Sequence, residues 1–195
     1  MDSLKNMIRN EGRVIGTEIL KVDNFLNHQI DPELMRQIGE EFASRFEGQG
    51  ITKVVTLESS GIAPAIFTAL YLGVPVIFAK KTESRNLDAD TYHASVHSFT
   101  RGGEYIIRIS RKYLSSDDTI LLIDDFLARG RALLGLLEIA NQAGAKVAGA
   151  GIVIEKGFQD GGTLIRNMGI RVESLAIVSS MSEEESKISF ADEEA

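Results

Sequence analysis

Apolar residues in this chain fall into two rhythms. Short continuous runs, bounded by turn-forming or charged residues, occur at ITKVVTLE (Ile51–Glu58), VPVIFA (Val74–Ala79), TILLID (Thr119–Asp124), VAGAGIVIE (Val147–Glu155) and RVESLAIV (Arg171–Val178). Runs of this length predict strands buried on both faces. Helical spacing governs the segments between them. Leu34, Met35, Ile38, Phe42 and Phe46 keep a helical period behind Asp31-Pro32, an N-cap followed by proline at the first helical position. AIFTALYLG closes at Gly73, Gly130–Ala143 closes at Gly144, Thr163–Met168 is helical, and Asp2–Glu11 forms a short leading helix with Leu4, Met7 and Ile8 on one side.

Strands alternating with helices predict an α/β fold with a parallel sheet flanked by helices. SVHSFTRGGEYIIRIS (Ser95–Ser110) is the exception: alternating segments around Gly102-Gly103 predict a hairpin that projects from the sheet edge as a flap. Lys80–Ser95 is polar and has no clear period. The acidic positions Glu183–Glu185 and Asp192–Glu194 predict a solvated, partly frayed tail. With no internal repeat and no linker, residues 1–195 read as a single domain.

Composition narrows the chemistry. The 195 residues are 44% hydrophobic and 25% charged, ordinary for a globular domain. A formal net charge of −7 argues against nucleic acid as a partner, since such domains carry a basic face. The absence of cysteine removes disulfides, thiolate catalysis and Cys-based zinc sites. MDSLKNMIRN lacks the apolar core of a signal peptide, and no apolar run reaches bilayer length, so the expectation is a cytoplasmic protein without membrane contact.

Ligands of an open parallel sheet bind outside the carboxyl ends of the strands. Three predicted ends carry polar groups: Glu58-Ser59-Ser60-Gly61, Asp124-Asp125 and Glu155-Lys156. Ionised carboxylates accept hydrogen bonds only, which suits vicinal hydroxyls. Ala128-Arg129-Gly130-Arg131-Ala132 then enters a helix, whose free N–H groups and positive dipole end suit a monophosphate. Hydroxyl acceptors followed by an anion cradle describe a ribose 5-phosphate. A surface acidic pair beside an ordinary helix cap is the plain alternative, and a carboxylate metal site a smaller one.

LLIDDFLARGRA resembles the phosphoribosyl-diphosphate signature of the type I phosphoribosyltransferases: four apolar residues, two acids, two apolar residues and a small phosphate loop. LKVDNFLNHQIDP (Leu20–Pro32), ESSGIAPA (Glu58–Ala65) and GIVIEKGF (Gly151–Phe158) are similar to the xanthine-specific branch of bacterial purine salvage, so the resemblance spans almost the whole chain. It implies a Rossmann-like sheet, a small hood over the base from residues 1–30 and the C-terminal part, and a flap at about residues 80–110. The implied reaction joins xanthine to 5-phosphoribosyl 1-diphosphate. The alternatives are a guanine or hypoxanthine specialist, and a non-catalytic sensor of 5-phosphoribosyl 1-diphosphate.

The resemblance also distributes roles. Ala128, Arg129, Gly130, Arg131 and Ala132 would hold the 5′-phosphate, and Asp124 and Asp125 the ribose hydroxyls. Ser59, Ser60 and Gly61, with Lys80 and Lys81, would meet the diphosphate. Lys156, a donor only, would reach the 6-oxo group and reject the amino group of adenine. Leu20 and Asn27 would lie near the base, Asn27 reading its 2-substituent, and Phe158 would stack on the ring. Mg²⁺ would arrive with the diphosphate, no resident metal is implied, and the family is usually homodimeric. The loop departs from its relatives at Arg129, where a small or polar residue is usual, and at Ala128, where some members carry an aspartate.

Overall fold

A computed structural model describes residues 1–81, 90–98, 103–185 and 187–193. In chain order the elements are α1 (Asp2–Glu11), β1 (Arg13–Ile15), β2 (Ile19–Lys21), a π-helical turn (Asp23–Asn27), α2 (Pro32–Arg45), β3 (Lys53–Leu57), α3 (Ile62–Leu72) and β4 (Val76–Ala79). There follow β5 (Thr91–Ser98), β6 (Gly103–Ser110), β7 (Thr119–Leu127), α4 (Arg131–Ala143), β8 (Lys146–Lys156), α5 (Gly161–Asn167), β9 (Val172–Ser182) and β10 (Lys187–Phe190). Residues 82–89 and 99–102 of the flap region, and Glu194 of the acidic tail, lie outside the described residues.

The central sheet has six strands in the order β10-β9-β8-β7-β3-β4. All neighbours are parallel except β10, which runs antiparallel to β9. After β3 the chain moves outward to β4 and later returns to the other side of β3 with β7. Strand order therefore reverses between β3 and β7, and the crevice outside their carboxyl ends is where such a sheet places its ligand.

Each face of the sheet carries its own core. Along β7, Leu121 and Ile123 enter the cluster built with α1 and α2, while Ile120 and Leu122 enter the cluster built with α4 and the β5–β6 hairpin. That alternation follows from the pleat. The α2 start matches its sequence signal: the Asp31 carboxylate accepts from Glu33 N–H (2.9 Å) and Leu34 N–H (3.0 Å), with Pro32 opening the helix. Among the described residues no helix is long and apolar enough to cross a membrane.

Three expectations need correction. The polar stretch before Ser95 contains the first half of β5, in which Tyr92, Ala94 and Val96 are buried and His93 and His97 exposed. The hairpin does not simply project. Val96 and Ile107 pack onto α4 at Gly135, where a Cβ would stand 2.6 Å from a Val96 methyl. The Gln142 carboxamide on α4 bonds the His93 backbone on both sides, accepting its N–H (3.2 Å) and donating to its C=O (2.7 Å) as a neighbouring strand would. Nor does the tail fray throughout. Lys187–Phe190 completes the sheet, Phe190 is fully buried, and Asp192 and Glu193 pair with Lys5 and Arg9 of α1. Apolar contact to the hood outweighs the local acidity there.

Candidate active site

At the carboxyl end of β7 a cavity of about 300 Å³ opens between the sheet, the hairpin and the hood. Its floor is the loop Ala128–Ala132, all of which lines it, together with Asp124 and Phe126 of β7. Lys156, at the end of β8, and Gln159 form one wall; His97 and Tyr105 of the hairpin and Glu18 and Ile19 of the hood form the others.

The loop is shaped by two glycines back to back. Gly130 has φ +72, a left-handed conformation that ordinary side chains resist, and leads directly into α4. Gly161, which opens α5, lies beneath it. Gly161 N–H donates to Ala128 C=O at 3.1 Å. A Cβ on Gly161 would stand 2.3 Å from that oxygen, 2.5 Å from Gly130 N and 2.7 Å from Arg129 C. Only a bare backbone fits under the loop. α5 is in turn fixed by Arg166, which donates two bonds of 2.7 Å to Glu155; Ser174 Oγ donates to the same carboxylate. Burial tends to raise the Glu155 pKa, but the bonds from Arg166 and Ser174 outweigh it and hold the group below its ordinary value. The residue before Lys156 is therefore anchored to the helix beneath the phosphate loop.

The two adjacent aspartates take opposite faces, as their strand requires. Asp124 lines the cavity. Asp125 accepts a bond from the Asn27 side-chain amide (3.2 Å) of the hood, and its N–H donates to Asp124 Oδ1 (3.0 Å). Both are buried. Burial first, and the neighbouring Asp125 charge second, push the Asp124 pKa well up. Tyr105 is raised by burial and then by the Asp124 charge, which places the phenol in the electrostatic field of that carboxylate.

The diphosphate-loop candidates sit next door. Ser59, Ser60 and Gly61 turn the chain from β3 into α3, after a cis Glu58–Ser59 peptide. Gly61 fits tightly between neighbours: a Cβ would stand 2.2 Å from Thr56 Oγ1 and 3.1 Å from Asp124 Oδ1. Alternation separates the paired lysines. Lys81 donates its N–H to Glu58 Oε1 (2.5 Å), holds its Nζ 5.5 Å from the Tyr105 ring, and contributes a charge felt by Asp124. Lys80 bridges to the Arg108 backbone and turns its Nζ to the Phe78 ring (5.9 Å), away from the cavity.

Lys156 Nζ donates to the Glu18 carbonyl (2.5 Å) and lies 5.7 Å from the Phe126 ring. Burial lowers its pKa, with the Glu18 charge opposing. Leu20 is buried within the hood core and its neighbour Ile19, 52% exposed, lines the cavity. Phe158 is 39% exposed and stands outside the lining, whereas Phe126 is in it. The cavity thus joins Asp124, the loop 128–132 and Lys156 directly. Gly61 and Lys81 adjoin it through Asp124; Asn27 is tied to Asp125, and Leu20, Lys80 and Phe158 point elsewhere. Phe126 carried a readable signal, since it lies two residues past Asp124 on the same strand face. Tyr105, His97 and Gln159 had none in the local pattern. Among the described residues no cluster of three or more carboxylate or histidine groups could hold a metal.

Chemically, the arrangement offers a cradle of backbone and arginines for one anion, carboxylates for hydroxyls, and a lysine beside an aromatic ring for a planar acceptor. Residues 22–183 match the model of the phosphoribosyl transferase domain. The xanthine phosphoribosyltransferase of Ruminiclostridium cellulolyticum is 57% identical over 192 residues, 98% of this chain and 100% of that protein. That of Oceanobacillus iheyensis is 58% identical over 183 residues, 94% of each. In fold, the adenine phosphoribosyltransferase of Giardia lamblia, complexed with 9-deazaadenine, superposes with a TM-score of 0.72 at 21% identity, covering 88% of this chain and 95% of that one. The enzyme of Rhodothermus marinus gives 0.70 at 22% identity, covering 89% and 98%. With a matched domain spanning most of its length and relatives this similar from end to end, the chain belongs to the phosphoribosyltransferase family.

Proposed function

We propose that the protein is a purine-salvage enzyme that converts xanthine and 5-phosphoribosyl 1-diphosphate to xanthosine 5′-monophosphate and diphosphate. The observation that carries the reading is one cavity holding both the Ala128–Ala132 loop and Lys156, in a chain 57% identical along its length to a xanthine phosphoribosyltransferase. The C1′–O bond to diphosphate breaks and the N9–C1′ bond forms. The base gives up a proton to solvent, and diphosphate leaves with the bonding pair.

In this reading Ala128, Arg129, Gly130, Arg131 and Ala132 fix the 5′-phosphate. Asp124 accepts from a ribose hydroxyl, and its charge offsets the positive character developing at C1′. Asp125, on the other face, holds Asn27 and the hood against the strand end. Ser59, Ser60, Gly61 and Lys81 meet the diphosphate, and Mg²⁺ enters as its counter-ion, since Mg²⁺ typically binds through substrate phosphates. Lys156 donates to the 6-oxo group with the ring against Phe126. Holding both reactants in line supplies most of the acceleration, there being no covalent intermediate to form.

The enzyme is a cytoplasmic homodimer in this proposal. Ile66 and Leu70, one turn apart on α3, and Phe78 on the edge strand β4 are exposed apolar side chains that a second copy could cover. The test is nucleotide formation from xanthine, guanine, hypoxanthine and adenine by the wild type and Lys156→Ala. Highest kcat/KM on xanthine, and loss in the variant with 5-phosphoribosyl 1-diphosphate affinity retained, are expected. Preference for guanine or hypoxanthine would reassign the base. Tight binding of 5-phosphoribosyl 1-diphosphate without turnover of any base would make the protein a sensor.

A further inference from the structure

Gln159 lines the same cavity as Lys156, three residues farther along one turn, and its N–H donates to the Lys156 carbonyl at 2.9 Å. That bond closes the turn that carries both residues to the cavity. The Gln159 Oε1 atom is buried, yet no group among the described residues donates to it. Leaving such an acceptor unpaired is costly, so folded proteins pair nearly all of them. For an unpaired acceptor on a side chain that lines a cavity, one resolution is simple: the side chain turns to a donor that comes with the ligand.

The chemistry of the cavity limits what that donor is. A phosphate offers no hydrogen to an amide oxygen, which rules out the anion held by Ala128–Ala132. Ribose hydroxyls have the carboxylate of Asp124 as a stronger acceptor. What remains is a ring N–H of the base. In every 6-oxopurine the 6-oxo group, which accepts, stands beside N1–H, which donates. Lys156 offers only donors and the Gln159 oxygen only accepts. One turn of chain therefore brings a donor and an acceptor to the same cavity, the two functions that edge requires. Adenine carries the reverse pattern, a 6-amino donor beside a bare N1, and meets like against like at both positions.

Resting on the reading of this site as an oxopurine phosphoribosyltransferase, we propose that Gln159 is a specificity-determining residue whose amide oxygen accepts N1–H of the purine while Lys156 donates to the 6-oxo group. This interaction is separate from Lys156: it needs no charge and reads the hydrogen on the ring.

Gln159→Leu tests it, with Gln159→Met as a second variant should the branched side chain not fold. Loss of the acceptor should lower kcat/KM for xanthine, guanine and hypoxanthine by about 10- to 100-fold, as expected when a buried N–H loses its partner. The KM for 5-phosphoribosyl 1-diphosphate should stay within about twofold by the same reasoning. Because an unpaired buried oxygen is removed, the melting temperature should hold or rise. Activity falling while stability does not is a signature that a purely structural glutamine would not give. Unchanged kinetics on oxopurines would overturn the proposal, as would a variant that loses both substrates in parallel with its melting temperature. If the wild type itself turns over no oxopurine, the functional reading fails first, and that is seen before any variant is made.

Discussion

Gly161→Ala adds one methyl group beneath the Ala128–Ala132 loop, our proposed 5′-phosphate site, and its effect can be sized from the geometry. The new carbon would stand 2.3 Å from Ala128 O, 2.5 Å from Gly130 N and 2.7 Å from Arg129 C. Carbon reaches its best separation from such atoms at roughly 3.5 Å, so the loop or the start of α5 must shift by about 1 Å. Neither is free to yield. α5 is pinned by the Arg166–Glu155 pair, and the loop is the entry to α4. A displacement of about 1 Å at a positioning group can cost on the order of 100-fold. The expectation is a fall of about 10- to 100-fold in kcat/KM for 5-phosphoribosyl 1-diphosphate, with the base KM nearly unchanged. Product-fragment inhibition gives the sharper assay. Ribose 5-phosphate should bind the variant far more weakly, while diphosphate, which we propose meets the Ser59–Gly61 side, should bind as before. A folded variant with unaltered ribose 5-phosphate inhibition would refute the claim that this glycine sets the loop.

Other consequences follow from single contacts. Glu155→Ala strands Arg166, but that side chain is 39% exposed and can turn to water, so the cost falls near or below the low end for breaking a buried pair, about 2–3 kcal/mol, or about 5–10 °C in Tm. Because the folded Glu155 pKa lies below 4.5, this stability is full at neutral pH and is lost as pH falls below 4.5 through the folded value; thermal melts of wild type and variant should converge in acid. The Lys156 ammonium, its pKa lowered by burial, should lose its charge on the alkaline side below 10.5, giving kcat/KM for xanthine an alkaline limb that Lys156→Arg abolishes even as it lowers the rate. Asp31→Ala should cost about 1 kcal/mol, or about 2–4 °C, without altering either KM; a change in kinetics would mean that the α2 cap reaches the site.

The sheet was legible because its central strands are buried on both faces and leave unbroken apolar runs, as at Ile120–Ile123. The α2 start was legible because its cap is local chemistry. β1 and β2 were not: at three residues each they are too short for a period to register. β10 was masked by flanking acids, although Lys187–Phe190 alternates and Phe190 turns inward. In the site, the order of residues identified Asp124, the loop 128–132 and Lys156, all set by strand ends. Sequence treated Asp124 with Asp125, and Lys80 with Lys81, as equal partners, whereas backbone alternation sends the members of each pair to different neighbours. The walls supplied by Tyr105 and Gln159 depend on how the hairpin and a turn fold back, which no local pattern encodes.

The hood is held shut by residues remote in sequence. Lys5 meets Asp192 and Arg9 meets Glu193 across separations of 187 and 184 residues, and Gly16 N–H donates to Glu183. The loop at Ala128–Ala132 rests on α5, itself fixed through Glu155 by Ser174 of β9, and all of these precede Glu183. A chain emerging from the ribosome can therefore complete this loop while the hood has its Asn27–Asp125 and Lys156–Glu18 bonds but not yet its C-terminal ones. Closing those long loops is entropically slow, so the C-terminal ties of the hood form after the β7–β8 strand ends and the loop between them. Lys156 and Gln159, which we propose read the base, arrive with the loop, and what is completed last is the cover over them.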